Sequence, residues 1–203
     1  KVQITANTNI SGETTLRDVM PGDSIVSTPL SVSKALDSQN VYIRAKIAYK
    51  TDSSDETIKT YIKALNRASN SDMGITGNMW SEKKGNYIYL VDNAGEMLEV
   101  KDATTYTLSD NIKVPTSIKQ APEQAQYFEN ITFSFEWQAV QSQGLTGYDN
   151  IVNAFNELFP ISSDEEFTDY VITYNSNNSL NKKSYQYMSR EQAEKLQGSN
   201  FYL

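Results

Sequence analysis

Residues Ile131 to Leu145 read ITFSFEWQAVQSQGL. Ile131, Phe133, Phe135, Trp137 and Ala139 occupy every second position, with Thr132, Ser134, Glu136 and Gln138 between them. A strand repeats every two residues, so this order puts apolar side chains on one face and polar ones on the other. It predicts a strand of an antiparallel sheet with one buried face, and Trp137 packs in a core on that reading.

A second run has the same period. Val41, Ile43, Ala45, Ile47 and Tyr49 alternate with Tyr42, Arg44, Lys46 and Ala48. Shorter strands are predicted around Val2 and Ile4, and over Ile25 to Ser33, where Pro29 lacks a ladder donor and marks an edge or a start. Others follow at Tyr87 to Val91, Tyr106 to Leu108, Ile112 to Val114, Tyr170 to Tyr174 and Phe201 to Leu203. Pro21-Gly22-Asp23 is a turn, and Asp92 to Gly95 turns a hairpin into Met97 to Val100. Two stretches change to helical spacing. Ile58, Tyr61, Ile62 and Leu65 share a face after a capping Asp55, and Ile151, Val152, Phe155 and Leu158 share one before Pro160. Ser189 and Gln192 form a capping box for a short helix to Gln197. The elements predict an all-β sandwich with inserted helices over 1–160, followed by a C-terminal extension over 161–203.

Composition narrows function. The 203 residues include 38% hydrophobic and 11% aromatic residues, 13 of them Tyr, which suits one β-rich domain with an appendage. A net charge of −7 argues against nucleic acid and anionic membranes as partners. With neither Cys nor His, the chain has no disulfide, no Cys/His zinc site and no His-based nucleophile system, so no enzyme is expected. No apolar run reaches the roughly 18 residues needed to span a bilayer. Starting at Lys1 without Met, the sequence reads as a processed product.

Few residues invite chemistry. Asp164, Glu165 and Glu166 cluster, and Glu82 lies near Trp80, but solvated acidic turns account for them. Asp92, Asn93 and Glu96 offer oxygens to a Ca²⁺ ion without EF-hand spacing, and a hairpin turn explains them better. No cofactor is expected. Trp80, Tyr87, Tyr89 and Trp137 are candidates for a sugar-binding face. Of these, Tyr87 and Tyr89 share one strand face and form the candidate interaction surface. Lys46 is a candidate for an isopeptide link, against which its polar-face position speaks.

Taken in order, KVQITANTNI, VMPGDSI, SQNVYIRAKIAY, WSEKKGNYIYLVDNAGE and ITFSFEWQAVQSQGL resemble segments of the TasA and camelysin family. Its members are exported with a SipW-type signal peptidase. The likeness covers residues 1–160. It implies a jelly-roll sandwich, secretion to the extracellular matrix or cell-wall surface of a Gram-positive cell, and a role as a biofilm-fibre subunit. It also implies assembly of the chain with itself by β-strand addition, with matrix proteins or polysaccharide as further partners. Val2 and Ile4 then mark the strand-exchange edge. If the donor precedes KVQIT, the chain from Lys1 is expected to be a soluble monomer with an open groove. A cell-surface adhesin module, binding carbohydrate or host protein through exposed aromatics, is the competing expectation. The extension departs from the family pattern; DYVITYNSNNSLNKK resembles the opening strand of small β-repeats in bacterial surface proteins.

Overall fold

The two alternating runs pair with each other. β5 (Val41–Lys50) and β9 (Thr132–Gln141) lie antiparallel over their whole length, from Val41 opposite Gln141 to Lys50 opposite Thr132. Their odd-numbered apolar residues point into one core, where Ile43, Ala45, Ile47, Phe133 and Phe135 are all buried. A computed structural model describes residues 1–7, 12–16, 19–118, 128–160, 170–174, 185–188 and 201–202.

β5 and β9 are the centre of a four-stranded antiparallel sheet. β2 (Gly12–Thr15) borders β9, and β6 (Tyr87–Tyr89) borders β5. A three-stranded antiparallel sheet has β4 (Leu30–Lys34) between β1 (Ile4–Asn7) and β7 (Thr105–Ser109). β3 (Ser24–Val26) pairs with β8 (Ile112–Lys113) in a small ribbon. Residues from all three sheets, among them Leu30, Val32, Leu108, Ile112, Ile43 and Phe133, join one hydrophobic cluster. The class is therefore all-β, with antiparallel sheets over a shared core and, among the described residues, two α-helices. Pro29 immediately precedes β4, where the chain leaves the small ribbon for the larger sheet.

Helix α1 (Glu56–Asn66) begins where Asp55 accepts the Thr57 amide at 2.8 Å, and it buries Ile58 and Leu65 in the main cluster. Its last residue substitutes for a strand. Asn66 Oδ1 accepts from the Tyr49 amide at 2.9 Å, and Asn66 Nδ2 donates to the Tyr49 carbonyl at 3.2 Å, alongside β5. Helix α2 (Tyr148–Leu158) buries Ile151 and Phe155 in a second, smaller cluster with Tyr87, Tyr89, Val91 and Val140. That cluster lies on the opposite face of the four-stranded sheet from the main core.

The chain divides into units 1–160 and 161–203. In the second, β10 (Tyr170–Tyr174) pairs antiparallel with both β11 (Tyr185–Met188) and β12 (Phe201–Tyr202). The acidic run Asp164 to Glu166 and the helix expected over Ser189 to Gln197 lie outside the described residues.

Candidate functional site

The N-terminal segment supplies an edge to each of the larger sheets. β1 pairs with β4 from Ile4 opposite Lys34 to Asn7 opposite Ser31. β2 pairs with β9 from Gly12 opposite Phe135 to Thr15 opposite Thr132. Among the described residues neither strand has a second neighbour in its sheet. Further backbone bonds extend the first pairing: Ala35 N–H donates to the Gln3 carbonyl at 3.0 Å and Gln39 N–H to the Lys1 carbonyl at 3.2 Å. The Gln3 amide donates to Ser38 Oγ at 2.9 Å. Val2 and Ile4 are half-buried and pack against the main core, and Leu16, just after β2, is buried in it. Ile4 opens β1, an outer strand of its sheet among the described residues, and Val2 precedes it. β1 fills that edge of β4.

The other two edges are engaged differently. Residues 77–81, which follow the 3-10 turn Ser71–Met73, run beside both β6 and β7. Tyr89 N–H donates to Ser81 Oγ at 2.9 Å, and Ser81 N–H donates to the Tyr89 carbonyl at 2.8 Å. Val91 N–H donates to the Met79 carbonyl at 2.9 Å. On β7, the Trp80 indole donates to the Thr107 carbonyl at 3.0 Å, and Gly77 lies so close that a Cβ there would stand 2.9 Å from the same oxygen. Asn70 ties this connection together, donating to the Ser81 carbonyl and accepting from the Lys83 amide. Sheet edges left bare are templates for another chain, and side chains or loops laid along them prevent pairing.

A buried polar site lies between α2 and the four-stranded sheet. Tyr89, Arg44 and Gln138 stand in one row across β6, β5 and β9. Arg44 Nε donates to Gln138 Oε1 at 2.6 Å; Nη1 donates to Tyr89 Oη at 3.2 Å and to Asn156 Oδ1, on α2, at 3.0 Å. The guanidinium carbon lies 3.8 Å from the Tyr87 ring centroid and 4.6 Å from that of Phe155. Gln138 Nε2 in turn donates to Glu136 Oε2 at 3.0 Å. Burial pushes the Tyr89 phenol above its ordinary pKa, and the Arg44 cation opposes that rise.

This arrangement corrects the exposed aromatic surface expected at Tyr87 and Tyr89. They are 8% and 3% exposed. They point away from the main core as alternation requires, but α2 covers that face with its own apolar stripe. Arg44 and Gln138, read as polar-face residues, are buried for the same reason. The signal was present in two pieces: a helix with an apolar stripe needs a surface, and the inner face of the sheet is already taken.

Trp137 is half-buried, packed against Trp80 and Phe135 at centroid distances of 5.5 and 5.0 Å. Asp92 Oδ1 is occupied by its own turn, accepting the amides of Ala94 at 2.8 Å and Glu96 at 3.0 Å. Among the described residues no group of three or more His, Cys, Asp or Glu could hold a metal ion, and no helix is long and apolar enough to cross a membrane. Lys46 faces Glu136 and Tyr87 across the sheet, with its Nζ 6.0 Å from the Tyr87 ring centroid.

No protein-family model, no curated protein and no solved structure matches this chain.

Proposed function

We propose that this chain is a secreted structural subunit of an extracellular biofilm-matrix fibre, built on a jelly-roll-type sandwich and assembling by exchange of its N-terminal strand between copies. It works outside the cell, in the matrix or at the cell-wall surface, as a scaffold rather than an enzyme and without a cofactor. The resemblance of its ordered segments to the TasA and camelysin family supports this reading. The observation that carries it is the asymmetry of the sheet edges. One connection engages β6 and β7 through Ser81, Met79 and Trp80, whereas the other two edges are formed by β1 and β2, both from residues 1–16. The backbone bonds that β1 and β2 make on β4 and β9 can re-form identically on a second copy. The adhesin alternative loses its proposed surface with the burial of Tyr87 and Tyr89.

Negative-stain microscopy of the concentrated protein tests the reading: filaments are expected. A synthetic peptide of residues 1–16, added in excess, is expected to cap acceptor edges and shorten them. Absence of filaments at high concentration across neutral and acidic pH would overturn it.

A further inference from the structure

Neither core packing nor strand exchange accounts for the charge under α2. Arg44 is wholly buried, and its Nη2 has no hydrogen-bond partner. Its other bonds all go to neutral oxygens, on Gln138, Tyr89 and Asn156. Glu136 reaches it only through the Gln138 amide. A buried cation ordinarily has an anion beside it, because desolvation is costly, and ring faces offset only part of that cost.

The cover over this cation has little local support. Gly144 and Gly147, before the helix, take left-handed φ values of 78° and 83°. Gly147 is the N-cap and contributes no side-chain bond to the free amides of the first turn. Only Ile151 and Phe155 of α2 are buried, in a cluster separate from the main core. Segments resting on few apolar contacts open before the rest of a fold.

Two groups on Arg44, Asn156 and Phe155, belong to that helix, whereas Gln138, Tyr87 and Tyr89 belong to the sheet. Lifting α2 would free one Nη1 hydrogen beside the unpartnered Nη2, while Gln138 and Tyr89 still hold the guanidinium in place. Two adjacent donors in a planar fork match a carboxylate. Further cations flank the site. Lys84 lies 4.2 Å from the Tyr148 ring centroid at the start of α2, and Lys46 stands beside Tyr87.

We propose that Arg44 is the centre of a carboxylate-binding site covered by α2, taking the carboxylate of a small organic or sugar acid end-on through Nη1 and Nη2. Calorimetric titration of the full chain uses D-glucuronate and N-acetyl-L-glutamate as probes, with glucose and N-acetyl-L-glutamine as their uncharged counterparts. At least one acid is expected to bind saturably and its neutral counterpart is not. Binding of only one acid supports the site and assigns its source. Arg44→Lys is expected to weaken binding at least about 10-fold, since a point charge does not replace the fork. Asn156→Ala acts in the opposite direction: it unpins the cover and should tighten binding roughly 5-fold by raising the open population. It also serves if Arg44→Lys fails to fold. Because the chain has no cysteine, Val140→Cys, beneath α2, reports opening. Its thiol should be labelled faster than that of Val32→Cys in the main core. No saturable binding of either acid, equal binding of the neutral compounds, unchanged or weaker binding by Asn156→Ala, or equal labelling of the two thiols would each overturn the proposal.

Discussion

Arg44 and Gln138 face each other across β5 and β9, and the guanidinium Nε donates to the amide oxygen at 2.6 Å. Both side chains are buried. Gln138 is therefore the acceptor that makes a buried charge tolerable. Gln138→Leu should cost about 2–4 kcal/mol in urea unfolding, because it strands a cation rather than merely removing a bond. Adding Arg44→Met to that variant should restore at least about 1 kcal/mol, since a matched apolar pair leaves nothing unpaired. Additive losses in the double variant would show that the row contributes no coupling.

Trp137 and Phe133 lie on the same face of β9 but do different work. Phe133 is fully buried and meets Tyr49 edge-on at 5.5 Å. Trp137 is half-buried, and its buried Nε1 has no partner. Phe133→Ala should cost about 3–5 kcal/mol. Trp137→Phe should cost under about 1 kcal/mol, because the lost ring area is offset by removal of an unsatisfied N–H. Thermal and urea unfolding of the two variants decide this; a larger loss for Trp137→Phe would mean that the indole N–H has a partner in solution.

These two strands show what was legible in the chain. A period of two states which residues share a face, and Ile131 to Ala139 and Val41 to Tyr49 do line one core. The same period does not state what covers the other face. α2 lies beyond β9 in sequence, so the burial of Arg44, Tyr87 and Tyr89 depends on a contact that local alternation does not encode. The acceptor roles of Gln138 and Asn156 were hidden for the same reason. A strand at Ile4 was legible from the alternation of Val2 and Ile4, though not its pairing with β4. The closure of the opposite edges was not, since Asn70 to Asn78 carries no periodic signal.

Asp72 ties the 3-10 turn Ser71–Met73 to the chain that follows β8. Its carboxylate accepts from the Thr116 amide at 2.8 Å and Thr116 Oγ1 at 2.7 Å, and also from the amide and hydroxyl of Ser117. Burial alone would raise its pKa, but the hydroxyls and amides of Ser117 and Thr116 outweigh it and hold the carboxyl below its ordinary 3.8. A depressed folded pKa means stability that is present above the unfolded value and is lost as pH falls through the folded one. Melting temperature of the wild type should therefore fall more steeply below pH 3.8 than that of Asp72→Asn. At pH 7 the variant should be weaker by roughly 1–3 kcal/mol, the range for bonds to a partly exposed charge. Parallel pH profiles would remove Asp72 from the acid response.

Gly74 and Gly95 share a backbone conformation but not an environment, and the comparison isolates close packing from strain. Their φ angles are 78° and 80°. A Cβ at Gly95 would meet nothing within 4 Å, whereas one at Gly74 would stand 2.5 Å from the Asn111 carbonyl oxygen. The left-handed conformation penalises both alanine variants by about 1–2 kcal/mol. Gly74→Ala carries an additional steric cost, because its neighbour is backbone between β7 and β8 and has no rotamer to change. Gly74 also accepts Ser109 Oγ on its carbonyl at 2.8 Å, so a shift there disturbs the same junction from the other side. Gly95→Ala should lose about 1–2 kcal/mol in urea unfolding, and Gly74→Ala at least about 1 kcal/mol more. Equal losses would mean that the Ser71–Met73 turn moves freely away from β8, and that this side of the sandwich is held by Trp80 and Ser81 rather than by the turn.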